Sequence, residues 1–315
     1  MKRETVVDST KRLYEEAGGA SSIDGEPIRL TWRDKLVEFG LNMCVILVGM
    51  LIAIFVFLCI LFTADDMIEK AVPGLLDQGS ITIVLLVILS ATVGNACAWL
   101  CSPYLVRFIY RGYELRDERL DRSVGKLISA IDMDIAAETL YTIKSRTANA
   151  MVAGLFRKNR YIFFTDKLLA KANEEEILAI FAHELAHVRH RHLPKMLLAT
   201  LMWVCGMQAF LYLIDFSAYF DALDESFKMW AYGLLNTVNV WLLIFLVIYP
   251  LSRRNEYEAD ATAAKWVGTE LYKRALYRLH QVNDNLKPPP KLVKVLLTHP
   301  TMQNRLDRVS RLDAQ

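Results

Sequence analysis

The sequence predicts a mainly α-helical, polytopic membrane protein with four transmembrane helices and a polar cytoplasmic domain that contains a small β-hairpin or sheet. Three observations support this fold class. The 315 residues are 54% hydrophobic with a mean hydropathy of +0.23, too apolar for one ordinary soluble domain. The apolar residues are concentrated in four long uncharged stretches, and the remaining sequence is polar with charges of both signs.

The four uncharged stretches are residues 41–62, 81–102, 196–214 and 230–249. Each can cross a hydrocarbon layer of about 30 Å at roughly 1.5 Å per helical residue. The first of them lacks the polar face that a core helix of a soluble protein presents to water. The first stretch follows a polar segment and is followed by no small-residue cleavage site, so we interpret it as an anchor rather than a signal peptide. Four polar residues within these stretches are expected to hydrogen-bond to neighbouring helices, with a role in substrate passage as the alternative: Asn95, Gln208, Asn236 and Asn239.

Charges beside the spans predict the orientation. Lys and Arg flank the outer ends of both helical pairs, whereas the two short connections are acidic. By the positive-inside rule, both termini and the long polar segments are expected to be cytoplasmic. The resulting organisation is a polar N-terminal extension (1–37), a first transmembrane hairpin (38–106), a first part of the cytoplasmic domain (107–195), a second hairpin (196–252) and a second part of that domain (253–315).

Charge and cysteine content exclude other classes. The chain has 37 Lys and Arg against 35 Asp and Glu, a net charge of +2, which gives no basic field for nucleic acid. Its five cysteines all fall in apolar stretches. This distribution argues against a disulfide-stabilised secreted domain and against a cysteine-ligated zinc module.

One predicted helix contains a metal-binding motif. Residues 173–192 read NEEEILAIFAHELAHVRHRH, with Asn173 as the expected N-cap and glutamates in the first turn. His183 and His187 are four residues apart, so both imidazoles project from one helix face and can bind one zinc ion. Glu184, beside them, is placed to act on a water molecule as a general base.

A catalytic zinc needs a third protein ligand. The metzincin pattern is excluded, because it needs glycine and histidine where this chain has His190 and Leu193. The sequence SRRNEYEADATAAKW, after the fourth stretch, offers an alternative. There Glu256 can bind the metal while Asp260, one helical turn later, accepts a hydrogen bond from a ligand histidine. The competing interpretation is an ordinary solvated charged turn.

The segments HELAH, NEYEAD and THPTMQNRL resemble those of the HtpX and CAAX prenyl protease superfamily of zinc metallopeptidases. Similarity extends in segments from about residue 145 to 306 and includes ANAMVAGLFRKNRYIFFTDKLLAKANEEE. Four spans, with the second pair between HELAH and NEYEAD, resemble HtpX more than the prenyl proteases, which have more spans. The resemblance implies a gluzincin-like peptidase domain.

The same resemblance implies site roles. It implies one zinc ion per chain, held by both motif histidines and Glu256, with Glu184 as the general base. His299 and Arg305 match family residues that lie near the zinc and are assigned to transition-state or ligand support. The implied activity is a zinc metalloendopeptidase, with protein or peptide substrates.

Residues 149–154 and 160–164 predict a pair of strands before the zinc helix. Such a strand can align an extended substrate by adding it as a further strand, so Asn149 and Met151 are predicted substrate contacts. The alternative is a hairpin that only covers the helix. His190 and His192, within a basic cluster, are expected to face lipid headgroups, with auxiliary metal binding as the alternative.

Few residues separate His187 from the third stretch, and few separate Glu256 from the fourth. The predicted zinc is therefore expected near the cytoplasmic membrane surface. The third and fourth spans are expected to continue the two metal-binding helices. The function predicted is hydrolysis of membrane or unfolded proteins in membrane protein quality control, in the inner membrane of a prokaryote. Two alternatives stay open: a CAAX-type prenyl-protein endopeptidase and a catalytically silent zinc-containing scaffold. A homo-oligomer is possible, and no nucleic acid partner is expected.

Overall fold

A computed structural model describes residues 93, 100–115, 117–133, 140–154, 160–215, 224–283 and 300–312. In that part of the chain the helices are α1 (Leu100–Ile109), α2 (Glu118–Ala130), α3 (Asp166–Lys171), α4 (Glu174–Arg189), α5 (His192–Asp215), α6 (Glu225–Leu242), α7 (Tyr249–Val267), α8 (Thr269–Val282) and α9 (Met302–Ser310). The strands are β1 (Tyr113–Glu114), β2 (Leu140–Ile143), β3 (Ala150–Ala153) and β4 (Tyr161–Thr165). The mainly helical class with a small sheet is therefore confirmed.

The described strands form one mixed sheet in the order β1-β2-β4-β3. β3 and β4 pair antiparallel from Ala150 opposite Phe164 to Ala153 opposite Tyr161, as the strand-pair prediction requires. β2 lies parallel to β4, and β1 pairs antiparallel with β2. β3 is thus an edge strand of this sheet, whereas β4 is central.

Helix α4 begins where the sequence predicts. The Asn173 side chain accepts a hydrogen bond from the backbone N–H of Glu176, whose carboxylate accepts one from the Asn173 backbone N–H. This capping box satisfies two backbone donors at the helix start. The buried side of the helix packs on the sheet, where the rings of Phe181 and Phe164 have centroids 5.8 Å apart.

Helix α4 ends at Arg189 and does not continue into the third predicted span. Arg191 has a φ of 52°, a left-handed conformation that a helix cannot contain, and α5 begins at His192. The expectation that the third span continues the zinc helix is therefore wrong. The fourth span does continue, since α6, a π-helical stretch (Leu243–Ile248) and α7 follow one another without a break.

Among the described residues, one helix is long and apolar enough to cross a membrane, Ser226–Val267. The predicted third span lies within α5, which the structure shows as helical. Large apolar side chains of this region, such as Phe210 and Trp230, are exposed. Trp203 of α5 donates a hydrogen bond of 2.7 Å to Asn239 of α6, which confirms the expected role of that asparagine. The first two predicted spans lie outside the described residues, except for residues 93 and 100–102, as does the extension 1–37.

The chain divides into two compact units. One contains Leu100–Leu193 and Ser252–Gln315, and the other contains Pro194–Leu251. In the first unit, α8 packs against both α4 and α9. Gly268 connects α7 to α8 with a φ of 92°, a conformation in which a side chain would be strained.

Candidate metal centre

Three predicted ligands meet at one point. Helix α4 presents His183 and His187, whose Nε2 atoms are 3.1 Å apart. Helix α7 presents Glu256, whose carboxylate oxygens lie 3.5 Å from the Nε2 atom of each histidine. Oε2 of Glu256 faces His183 and Oε1 faces His187, so the two rings and the carboxylate form a triangle of ligands around one point.

The size of this triangle fits zinc. Ligands at about 2.0–2.1 Å in tetrahedral geometry are roughly 3.3 Å from one another. His183 and Glu256 are buried, while His187 is only partly buried. Within the described residues, two helices therefore supply three candidate ligands, and a zinc ion held by three protein ligands would keep one position open for water or substrate. Glu184, the residue after His183, is half-buried on the same helix.

His183 is held from behind by a buried carboxylate. Its Nδ1 atom lies 3.0 Å from Oδ1 of Asp260, which is fully buried. The Tyr272 hydroxyl donates to the same oxygen at 2.6 Å, and Arg305 donates through Nε to the other oxygen at 2.9 Å. This arrangement fixes the His183 proton on Nδ1 and so turns Nε2 toward the ligand triangle.

Burial and neighbouring charges shift the pKa values of Asp260 and of the two ligand histidines. Burial opposes ionisation of Asp260, but Arg305 and His183 outweigh it and hold the pKa of the carboxyl below its usual value. Burial likewise opposes the charged form of His183, yet hydrogen bonds to Asp260 and Glu256 raise its pKa to about 9. For His187, burial and the nearby His183 lower the pKa to about 3.

His187 has a different kind of support. Its Nδ1 atom lies 2.8 Å from Nδ1 of His192, and Nε2 of His192 lies 3.1 Å from Oε2 of Glu258. His190 approaches the other oxygen of Glu258 at 3.1 Å. His192 is only 3% exposed, so the expectation that it faces lipid headgroups is wrong.

The remaining predicted site residues fall in three places. Arg305 is buried, and two of its nitrogens bind Asp260, so it contacts the support of His183. Asn149 is exposed next to edge strand β3, and Met151 is half-buried within that strand. His299 lies outside the described residues.

Sequence reasoning missed Tyr272, and it missed the contact of His192 and Glu258 with the site. Tyr272 lies 89 residues from His183 in a different helix, and nothing in the surrounding amphipathic pattern singles it out. The sequence contains a weak indication for the other two residues. His192 lies shortly after the end of the zinc helix, and Glu258 lies between Glu256 and Asp260.

Comparison with known proteins identifies the family of the chain and several of its relatives. The model of peptidase family M48 matches residues 114–313, more than half of the chain. A protease HtpX homolog of Pyrobaculum islandicum is 27% identical over 215 residues, which is 67% of this chain and 60% of that protein. Protease HtpX of Legionella pneumophila is 28% identical over 263 residues, covering 76% of this chain and 91% of that protein. The chain thus spans about three fifths of the first relative and nearly all of the second.

A solved structure shares the fold. The crystal structure of Ste24p from S. mikatae superimposes with a TM-score of 0.66 and covers 97% of this chain and 76% of that one. Identity is 18%, so this likeness concerns the fold alone.

The ligand cluster, the family match and the HtpX relatives together define a metalloprotease, with a helix long and apolar enough to cross a membrane. The chain belongs to peptidase family M48, and within it the protein is HtpX-like.

Proposed function

We propose that this protein is a zinc-dependent endopeptidase that hydrolyses peptide bonds of membrane or unfolded proteins at the cytoplasmic membrane surface. The observation that supports the proposal most directly is the triangle of His183, His187 and Glu256, with Glu184 on the same helix. A purely structural zinc site usually has four protein ligands, whereas the described residues place three in this cluster. The proposed physiological role is membrane protein quality control in a prokaryotic inner membrane.

The residues divide the chemistry between them. Zinc, when bound, polarises the scissile carbonyl and makes a water molecule at the site more acidic. Glu184 takes a proton from the attacking water and passes it to the leaving amine. Asp260 orients His183 through the Nδ1 hydrogen bond. Arg305 holds Asp260 in place, and a direct contact of Arg305 or His299 with the transition state stays a prediction.

Edge strand β3 supports an extended binding mode for the substrate. It pairs on one side with β4, within the described sheet. An extended peptide could add along the other side through main-chain hydrogen bonds, with Asn149 and Met151 among its contacts. Main-chain recognition demands little sequence specificity, as a protease acting on many unfolded chains requires.

The test is cleavage of an unfolded membrane protein by purified, zinc-loaded protein and by a Glu184→Gln variant with equal metal content. This substitution keeps the shape of the side chain but removes the base. Cleavage by the parent alone is expected. A farnesylated cysteine peptide is the second substrate: cleavage of that peptide alone would indicate a prenyl-protein protease. Cleavage of the unfolded protein by both the parent and the variant would overturn the role assigned to Glu184. Cleavage of neither substrate by the zinc-loaded parent would overturn the endopeptidase proposal and favour a silent scaffold.

A further inference from the structure

The second zinc ligand, His187, contacts a buried histidine backed by a carboxylate. The two Nδ1 atoms of His187 and His192 are 2.8 Å apart, and the ring planes meet at 76°. On its far side His192 meets Glu258 at 3.1 Å. The other oxygen of Glu258 lies 3.1 Å from Nδ1 of His190, so the carboxylate is held at both ends.

The protons of this chain can be placed by counting donors. A neutral imidazole that offers Nε2 to a metal has its proton on Nδ1. His187 must therefore donate from Nδ1, and His192 must accept at its own Nδ1. The proton of His192 is then on Nε2, where it is donated to Glu258. Every contact in the series pairs one donor with one acceptor.

We infer that His192 and Glu258 are positioning residues that fix the tautomer and ring orientation of His187 in the metal-loaded protein. This inference rests on the proposed metal centre. The two histidine ligands are supported differently: His183 by a carboxylate directly, and His187 by an imidazole that a carboxylate orients. Partners of this kind also make the ligand nitrogen more basic and so strengthen its bond to the metal.

The same residues could instead form a second metal site. Ligand atoms of His190, His192 and Glu258 lie within 4.8 Å of one another. A metal on Nε2 of neutral His192 would require the proton on Nδ1. That proton would then face the Nδ1 proton of His187 across 2.8 Å, with two donors and no acceptor. Occupation of the first centre therefore disfavours a metal on His192.

The experiment compares zinc affinity, zinc stoichiometry and the visible spectrum of the cobalt-substituted protein across matched variants. His192→Phe removes the acceptor, while His192→Asn places an amide oxygen near the former Nδ1 position. Glu258→Gln keeps an acceptor but removes its charge. Thr262→Val is the control, because the Thr262 hydroxyl bonds His190 at 2.8 Å and donates to the main-chain carbonyl oxygen of Glu258 at 2.9 Å, whereas the inference concerns the Glu258 carboxylate.

His192→Phe is expected to weaken zinc binding by about 10- to 100-fold and to shift the cobalt spectrum at full occupancy. His192→Asn should recover most of both properties, Glu258→Gln should be intermediate, and Thr262→Val should match the parent. A structural role alone would lower thermal stability without this pattern of spectral rescue. If His192→Phe fails to fold, the asparagine and glutamine variants provide the same comparison.

Two results would overturn the inference. Parent-like affinity and spectrum in His192→Phe, or in Glu258→Gln if the first variant does not fold, would show that the pair does not position His187. Two zinc ions per parent chain, with one lost in Glu258→Gln, would identify a second metal site. Failure of the metal centre itself is distinguishable, because Glu256→Ala would then bind zinc as tightly as the parent.

Discussion

Asp260 provides the sharpest test of how the site is built. Its Oδ1 atom accepts hydrogen bonds from Tyr272 at 2.6 Å and from His183 at 3.0 Å, while Oδ2 accepts one from Arg305 at 2.9 Å. The substitution Asp260→Asn preserves the shape but removes the charge. It also replaces one acceptor oxygen with an NH2 donor.

The loss of stability expected for Asp260→Asn follows from these contacts. In the least unfavourable orientation of the new Asn side chain, the amide oxygen faces Tyr272 and His183. The amide NH2 then faces Nε of Arg305, so two donors meet without an acceptor. Arg305 then becomes a buried cation without its main charge partner. Breaking a buried ion pair from one side typically costs about 3–5 kcal/mol, which corresponds to a fall of roughly 10 °C in melting temperature. Loss of histidine orientation should also weaken zinc binding by about 10- to 100-fold.

The assay combines thermal unfolding in detergent with competition against a zinc chelator. Arg119→Gln is the control, since the Arg119 side chain is 81% exposed in its ion pair with Glu174 and the change should alter stability by at most about 1 kcal/mol. A double variant, Asp260→Asn with Arg305→Met, removes the stranded cation and should be less destabilised than the two single effects added together.

One outcome would refute this reasoning. If Asp260→Asn melts with the parent and binds zinc equally well, neither the buried pair nor the orientation of His183 has the importance assigned to it. Strict additivity in the double variant would likewise mean that Asp260 and Arg305 do not interact energetically.

Three further predictions concern other parts of the chain. Asn173→Ala should lower the free energy of unfolding by about 1 kcal/mol, because the helix cap is lost, whereas Asn173→Asp should keep the cap and the stability. Equal melting temperatures of the parent and both variants would contradict this prediction. Glu256→Ala should lose stoichiometric zinc on dialysis, and full metal content would place the third ligand elsewhere. Asn149→Ala should raise KM for an unfolded substrate by up to about tenfold with zinc content unchanged, as expected for one lost hydrogen bond. The exposed residue Lys144 provides its alanine control, and an unchanged KM for Asn149→Ala would remove the proposed substrate contact.

The parts of the site that sequence predicts are those set by local geometry. The four-residue spacing of His183 and His187 alone puts both rings on one helix face. Asn173 and Glu176 identify the start of that helix by their own side chains. Strands β3 and β4 could be paired because they are neighbours in sequence, whereas the parallel pairing of β2 with β4 passes over β3 and leaves no local pattern.

His192 shows why the rest could not be predicted. In an unbroken helix a residue five positions after His187 is rotated by about 140° from it, too far around the axis for contact. The left-handed conformation at Arg191 breaks the helix between them, and the two rings meet. Arginine has no special preference for that conformation, so the sequence gives no indication of the break.

The single-residue connector at Gly268 makes the position of Tyr272 depend on residue count. Tyr272 lies one turn into α8, and its backbone N–H bonds the carbonyl oxygen of Gly268 at 3.0 Å. Adding one residue at this joint would rotate every later position by about 100° and advance it by roughly 1.5 Å. The hydroxyl would swing away from Asp260 even though every side chain of the centre remained. The length of this joint is therefore as much a part of the metal centre as the residues that line it.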